Sequence, residues 1–143
     1  MNNFYERALE EMRSKKPNKN LVFKLLNDAH TSGDALASYA LATWYLHGEH
    51  VDEDIPKAVS LLQYAAEKNV TNAMYDLAVY YENNASEKYT DEEVFKLYLK
   101  AALRGDSQSI YEVGRCYYYG IGTAKSESLA EIWLERAEEL GIG

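Results

Sequence analysis

Two places in this sequence hold residue types that could do chemistry. In YLHGEHVDEDIPKA, residues 45–58, His47 and His50 stand among Glu49, Asp52, Glu53 and Asp54. A His-x-x-His pair beside carboxylates is a spacing that can ligate zinc or another divalent cation. The second place is Cys116, directly after Arg115; a guanidinium favours a reactive thiolate. Cys116 has no histidine near it in sequence, however, and reads as a packed thiol. No serine-centred elbow, phosphate-cradling glycine loop or HExxH pattern occurs. These residues point to no catalytic constellation, no cofactor and no dedicated metal site.

Bulk composition narrows the class. A chain of 143 residues can bury a core, and 47% hydrophobic with 27% charged residues is ordinary for a globular protein. Two prolines and eight glycines argue against a linker-rich chain. A net charge of −8 makes nucleic acid and anionic membrane poor partners, because phosphate demands Lys and Arg. One cysteine cannot form an internal disulfide, which fits a reducing compartment. The N-terminus has no apolar run of signal-peptide length, and no 18-residue apolar stretch occurs. The expected location is the cytoplasm.

Self-comparison supplies the elements that must position these residues. Gly33, Asn69, Gly105 and Gly141 recur every 36 residues, in register with Ala29, Ala65, Ala101 and Ala137. Leu25, Leu61, Leu97 and Trp133 form another column, as do Leu26, Leu62, Tyr98 and Leu134. Upstream run Tyr39, Tyr75 and Tyr111, then Ala42, Ala78 and Gly114, then Tyr45, Tyr81 and Tyr117. Asn18, Asp54, Thr90 and Ser126 share the column of a helix N-cap, and the Gly/Asn column suits the left-handed residue that follows a helix. Thr90 with Glu93 makes a capping box. Each unit is therefore a helical pair. The B helices are expected at about 19–31, 55–68, 91–104 and 127–140, and the A helices at about 35–47, 71–83 and 107–119. Segment 2–15 reads as a degenerate first A helix that Pro17 interrupts. The last B helix carries Glu127, Glu131, Glu135 and Glu138 in one stripe, a polar outer face suited to the end of an array, so the repeat set reads as complete there.

The fold expected is all-α: a short α-solenoid of about four antiparallel helix pairs in one domain, 1–143. An atypical N-terminal capping pair covers 1–32, and repeats cover 33–69, 70–105 and 106–141. The pattern A-x-Y-x-L-G-x-x-Y, a glycine-containing loop, D-x-x-K-A and a late Ala-Ala resembles the Sel1-like repeat family, a relative of tetratricopeptide repeats. It is carried by Ala37, Tyr39, Leu41, Ala42, Tyr45, Gly48, Val51, Asp54, Lys57, Ala58, Ala65 and Ala66. Its third copy shows Tyr111, Val113, Gly114, Tyr117, Gly120, Gly122, Ala130, Trp133, Ala137 and Gly141. The second copy departs, because its loop ENNASEKYT lacks both glycines. The resemblance implies a right-handed superhelix that serves as a protein-interaction scaffold without catalytic residues.

It also implies that the A helices line a concave groove. With positions 41, 42 and 45 facing the B helix, the groove stripe falls at 36, 39, 40, 43, 46 and 47 and recurs every 36 residues. The partner-binding candidates are Tyr39, Thr43 and His47; Asn72, Tyr75, Asp76, Val79 and Glu82; and Gln108, Tyr111, Glu112, Arg115, Tyr118 and Tyr119. Tyrosine and arginine are enriched at binding hot spots, and the acids would select a basic ligand. Tyr39, Tyr75 and Tyr111 belong to the repeat pattern and suit packing. Tyr118 and Tyr119 fall outside it and suit contact. His47, at the groove edge beside acids, could make binding depend on pH.

The function expected is non-catalytic binding of another protein. A narrower form is a cytoplasmic immunity or inhibitor protein that neutralises a basic toxin domain; the alternative is an adaptor or regulator in a signalling, secretion or envelope complex. A monomer is expected. In the repeat register His50 aligns with Gly122 and Asp54 with Ser126, so the histidine-rich stretch is the turn between two helices of one repeat rather than a metal site.

Overall fold

Side-chain caps set where the helices begin in the computed structural model, which describes residues 3–84 and 86–143. Asn18, Asp54, Thr90 and Ser126 each accept the backbone N–H three residues on, at 3.1–3.3 Å. At the other ends Gly33, Asn69, Gly105 and Gly141 all have positive φ, as the left-handed position requires. Between these stops lie eight α-helices and, among the described residues, no strand: α1 (Phe4–Met12), α2 (Lys19–Thr31), α3 (Ala35–His47), α4 (Ile55–Glu67), α5 (Thr71–Asn83), α6 (Asp91–Leu103), α7 (Ser107–Tyr119) and α8 (Glu127–Glu139). The architecture is an all-α solenoid of helical repeats.

The helix expected at 2–15 is shorter. Asn2 lies outside the described residues, and α1 starts after Asn3, whose side chain accepts the Glu6 N–H at 2.8 Å. It stops at Met12, with Arg13 as its C-cap. Helices α4, α6 and α8 each end one residue before the expected position, where Lys68, Arg104 and Leu140 act as C-caps.

The chain divides into two units, Met1–Val70 and Thr71–Gly143. The first holds α1 to α4 and the second α5 to α8; in each, every helix packs on the next. In the first unit Val22, Leu25 and Leu26 of α2, Leu41 and Ala42 of α3, and Leu61, Leu62 and Ala65 of α4 are buried. Trp44, only 8% exposed, stacks on Phe23 with centroids 5.9 Å apart, which ties α3 to α2. His30, near the end of α2, makes a 2.6 Å hydrogen bond to the buried Ser38 of α3 and meets the Tyr64 ring edge-on.

In the second unit Met74, Leu77 and Ala78 of α5, Val94 and Tyr98 of α6, Ile110, Val113 and Cys116 of α7, and Ala130 and Ala137 of α8 are buried. Helices α7 and α8 come so close that a Cβ on Gly114 would sit 2.8 Å from Leu134 side-chain carbons. The loop without glycines is anchored by aromatic stacking: Tyr89 lies face to face with Tyr81, centroids 4.3 Å apart and planes within 11°. Ala85 of that loop lies outside the described residues.

Candidate functional site

The helix spacing brings Tyr111, Arg115, Tyr118 and Tyr119 onto one face of α7. With Leu134 of α8 they line an open depression of about 240 Å³. Tyr118 and Tyr119 are 46% and 67% exposed, whereas Tyr111 is half-buried, as its place in the repeat pattern requires. The Tyr118 and Tyr119 rings meet edge to face at 4.9 Å, so each limits the other's rotamers and the pair presents a firm aromatic corner.

Behind this corner lies an ionic cluster. The Arg115 Nη2 donates to both carboxylate oxygens of Glu82, at 2.7 and 2.8 Å, and to Glu112 Oε2 at 2.6 Å. Its Nε donates to the same Glu112 oxygen at 2.9 Å. The Tyr98 hydroxyl donates to Glu82 Oε1 at 3.0 Å, and its ring contacts Tyr75 at 5.9 Å. Burial alone would weaken the Arg115 cation, but the hydrogen bonds it donates to Glu82 and Glu112, with their charges, outweigh that and raise its pKa. Burial, then the charges of Glu112 and Glu82, raise the Tyr98 hydroxyl, and burial with Glu112 and Asp106 raises Tyr75. Both tyrosines therefore stay protonated and Arg115 stays charged.

This arrangement differs from a row of acids presented to a ligand. Glu82 and Glu112 are engaged by Arg115, and the three groups together carry one net negative charge. Asp76 and Val79 on α5 are half-buried, while Asn72 and Gln108 are exposed. Tyr39, Thr43 and His47 lie on α3 in the first unit. Thr43 hydrogen-bonds back to the Tyr39 carbonyl at 3.2 Å, Tyr39 is half-buried, and His47 is exposed at the helix end. Sequence spacing placed Glu112 and Arg115 one turn apart. It did not show that Arg115 also reaches α5, because Glu82 lies 33 residues back, one turn short of the period.

The other two chemical candidates resolve structurally. Cys116 is fully buried and its thiol is pushed up to about 12 by burial, against the opposing pull of Arg115. His50 sits at φ 63°, the counterpart of Gly122 at φ 70°, with its ring edge-on to Trp44 at 5.5 Å. Among the described residues no group of three or more His, Cys, Asp or Glu could hold a metal ion.

Four stretches of the chain, residues 35–70, 71–85, 95–106 and 107–142, match the Sel1 repeat. The chain belongs to the Sel1 repeat family. The interruption in the middle Sel1 repeat, 86–94, contains most of the loop that replaces glycines with the Tyr89 stack. Over 95 residues the chain is 33% identical to DAP3-binding cell death enhancer 1 of Rattus norvegicus; the match takes in 66% of this chain and 18% of that one. The chain thus spans under a fifth of that relative's length. It resembles the crystal structure of a Sel1 repeat protein from Oxalobacter formigenes, with a TM-score of 0.74 and 32% identity over 81% of this chain and 87% of that one. It also resembles a protective antigen present in uropathogenic Escherichia coli strains, which displays an SLR fold. There the TM-score is 0.87 with 25% identity over 96% of this chain and 30% of the antigen. Sel1 repeat proteins generally mediate protein–protein interaction. Among the described residues no helix is long and apolar enough to cross a membrane.

Proposed function

We propose that this Sel1 repeat chain is a non-catalytic binding protein whose partner sits on the α7 face of the second unit. The observation that carries this reading is the aromatic corner: two exposed tyrosines beside Tyr111 and Arg115 around one open depression. Tyrosine gives large contact area at low entropic cost, and Arg115 is already held in place by two carboxylates. Glu82 of α5 and Glu112 of α7 hold Arg115 beside the depression, and Asn72, Tyr75, Asp76 and Val79 of α5 with Gln108 of α7 are the further contact candidates of this reading. The rat relative's name, DAP3-binding, supports a role in holding another protein. A net charge of −8 favours a basic partner and supports the narrower form of the proposal, a stoichiometric inhibitor of a basic protein such as a toxin.

The test is capture of a partner from the source organism by wild-type chain and by a Tyr118→Ala, Tyr119→Ala double variant. Both side chains are exposed, so the variant should fold. The reading expects at least about tenfold weaker binding by the variant; equal affinity would overturn it. A complex that survives dilution on gel filtration fits the inhibitor form. One that dissociates on dilution and weakens with salt fits an adaptor.

A further inference from the structure

The outer face of α6 reverses the charge of the chain around it. Lys96, Lys100 and the C-cap Arg104 follow one another at four-residue spacing, all exposed, and Leu103 beside them is 72% exposed. The buried Val94, Tyr98 and Ala101 occupy the opposite side of the helix. In the repeat register each of the other B helices carries a cation at one of these three positions: Lys24 in α2, Lys68 at the end of α4 and Arg136 in α8. Each of those is engaged within its own repeat. Lys24 pairs with Asp28 at 3.0 Å, Lys68 lies over the Tyr64 ring at 5.7 Å, and Arg136 pairs with Glu139 at 3.0 Å. Arg104 Nε donates to the Thr71 hydroxyl at 3.3 Å. Among the described residues, however, no carboxylate pairs with Lys96, Lys100 or Arg104.

The leucine is a second departure from the repeat. Counterparts of Leu103 are Thr31, Glu67 and Glu139, so packing of a repeat does not call for an apolar residue there. The helix dipole explains Asp91, Glu92 and Glu93 in the first turn and Lys100 in the last. It explains neither Lys96 in mid-helix nor the exposed leucine. Helix α6 has both neighbours in place, α5 and α7, so the exposure of this face belongs to the repeat itself.

We infer that this face docks an acidic helix of a partner protein. The partner's carboxylates, four residues apart, pair with Lys96, Lys100 and Arg104, and a large apolar side chain among them covers Leu103. Four residues advance any α-helix by about 6 Å, so the row of cations and the row of carboxylates stay in step. A net charge of −8 repels an acidic segment at long range, but physiological salt screens charges beyond about 8 Å and leaves the contact charges to decide. The same net charge disfavours an anionic bilayer, which meets the whole molecule rather than one stripe.

The test uses the full chain and an alanine-based helical peptide with glutamates four residues apart and one leucine, against the same peptide with glutamines for glutamates. Fluorescence anisotropy at about 0.15 M salt reads the affinities. The glutamate peptide should bind at least about fivefold more tightly. A Lys96→Gln, Lys100→Gln variant should lose that preference. Lys15→Gln with Lys16→Gln, which removes the same charge from the turn between α1 and α2, should keep it. Leu103→Thr should weaken both peptides about tenfold and leave their ratio unchanged. Equal binding of the two peptides, no binding of either, or equal loss in both lysine variants would overturn the inference. So would tighter binding to phosphatidylserine vesicles that the Lys96, Lys100 variant abolishes, since a bilayer would then be the occupant. Self-association in sedimentation that this variant abolishes would overturn it in favour of a second copy. None of these residues lines the α7 depression, so the outcome is separable from the tyrosine test above.

Discussion

Arg115 separates a structural ion pair from a decorative one. It is three-quarters buried between two carboxylates, and truncating it leaves Glu82 and Glu112 close together with no cation between them. Arg115→Ala should cost about 2 kcal/mol in urea denaturation. Arg136→Ala, at a pair whose members are 59% and 65% exposed, should change stability by less than about 0.5 kcal/mol. Comparable losses would show that the cluster gives no special support. Cys116 makes a second, pH-dependent case. Its ordinary value is near 9 and burial lifts it to about 12, so between those limits the folded chain keeps a proton that the unfolded chain releases. The resulting contribution is fully present below pH 9 and lost as pH rises toward 12. Tyr75 and Tyr98 act in the same direction from about pH 10 upward. Stability should fall over that range, and less steeply in Cys116→Ala. At pH 8 a thiol reagent should modify native Cys116 only as fast as the chain opens. The packing of Cys116 was legible, since it has no partner in sequence to make it reactive; the Glu82 contact was not, because it depends on a neighbouring helix, whereas the i, i+3 pair of Glu112 and Arg115 was visible because it does not.

Helix boundaries were legible for a local reason. Caps and left-handed stops act within four residues, so the columns of Asn18, Asp54, Thr90 and Ser126 and of Gly33, Asn69, Gly105 and Gly141 carried that information. Close approach between helices was only half legible. The Ala42, Ala78, Gly114 column announced small residues, but not that α8 lies so near that only glycine fits at 114. Gly114→Ala should destabilise by about 1–3 kcal/mol through overpacking against Leu134. The loop glycines divide in the same way. Gly122 has φ 70° and its added Cβ would run into the Asp91 carbonyl and the Phe95 side chain, whereas around Gly105 nothing lies within 4 Å. Gly105→Ala should cost about 1 kcal/mol of backbone strain. Gly122→Ala should cost clearly more, as thermal melts of the two variants would show. Where the middle repeat has neither loop glycine, the Tyr81–Tyr89 stack is a solution that repeat columns could not reveal, because Tyr89 has no counterpart at Glu53 or Lys125.

Across the molecule, the division at Val70 and Thr71 coincides with a break in a capping column. Asp34 and Asp106 cap α3 and α7, but Val70 occupies the equivalent position before α5. Repeat arrays hold together by neighbour contacts, so the helices with fewest buried residues should open first. Helix α1 buries only Ala8, and α8 only Ala130 and Ala137. Amide hydrogen exchange should be fastest in α1 and α8 and slowest in the inner helices, and earliest exchange in α3 or α6 would contradict this. The acidity of the chain adds a second expectation: binding to a basic partner should weaken as salt rises. The partner's identity was not legible, because a repeat pattern specifies how units stack and leaves the exposed positions to vary.

The two tryptophans fall one to each unit. Trp44 lies buried against the Phe23 and His50 rings of the first, and Trp133 lies half-buried on α8 of the second. Their emission should differ in colour, blue-shifted for the first and red-shifted for the second. The chain therefore has a built-in optical label for each unit, and Trp44→Phe or Trp133→Phe would leave a reporter for following one unit while the other melts or binds.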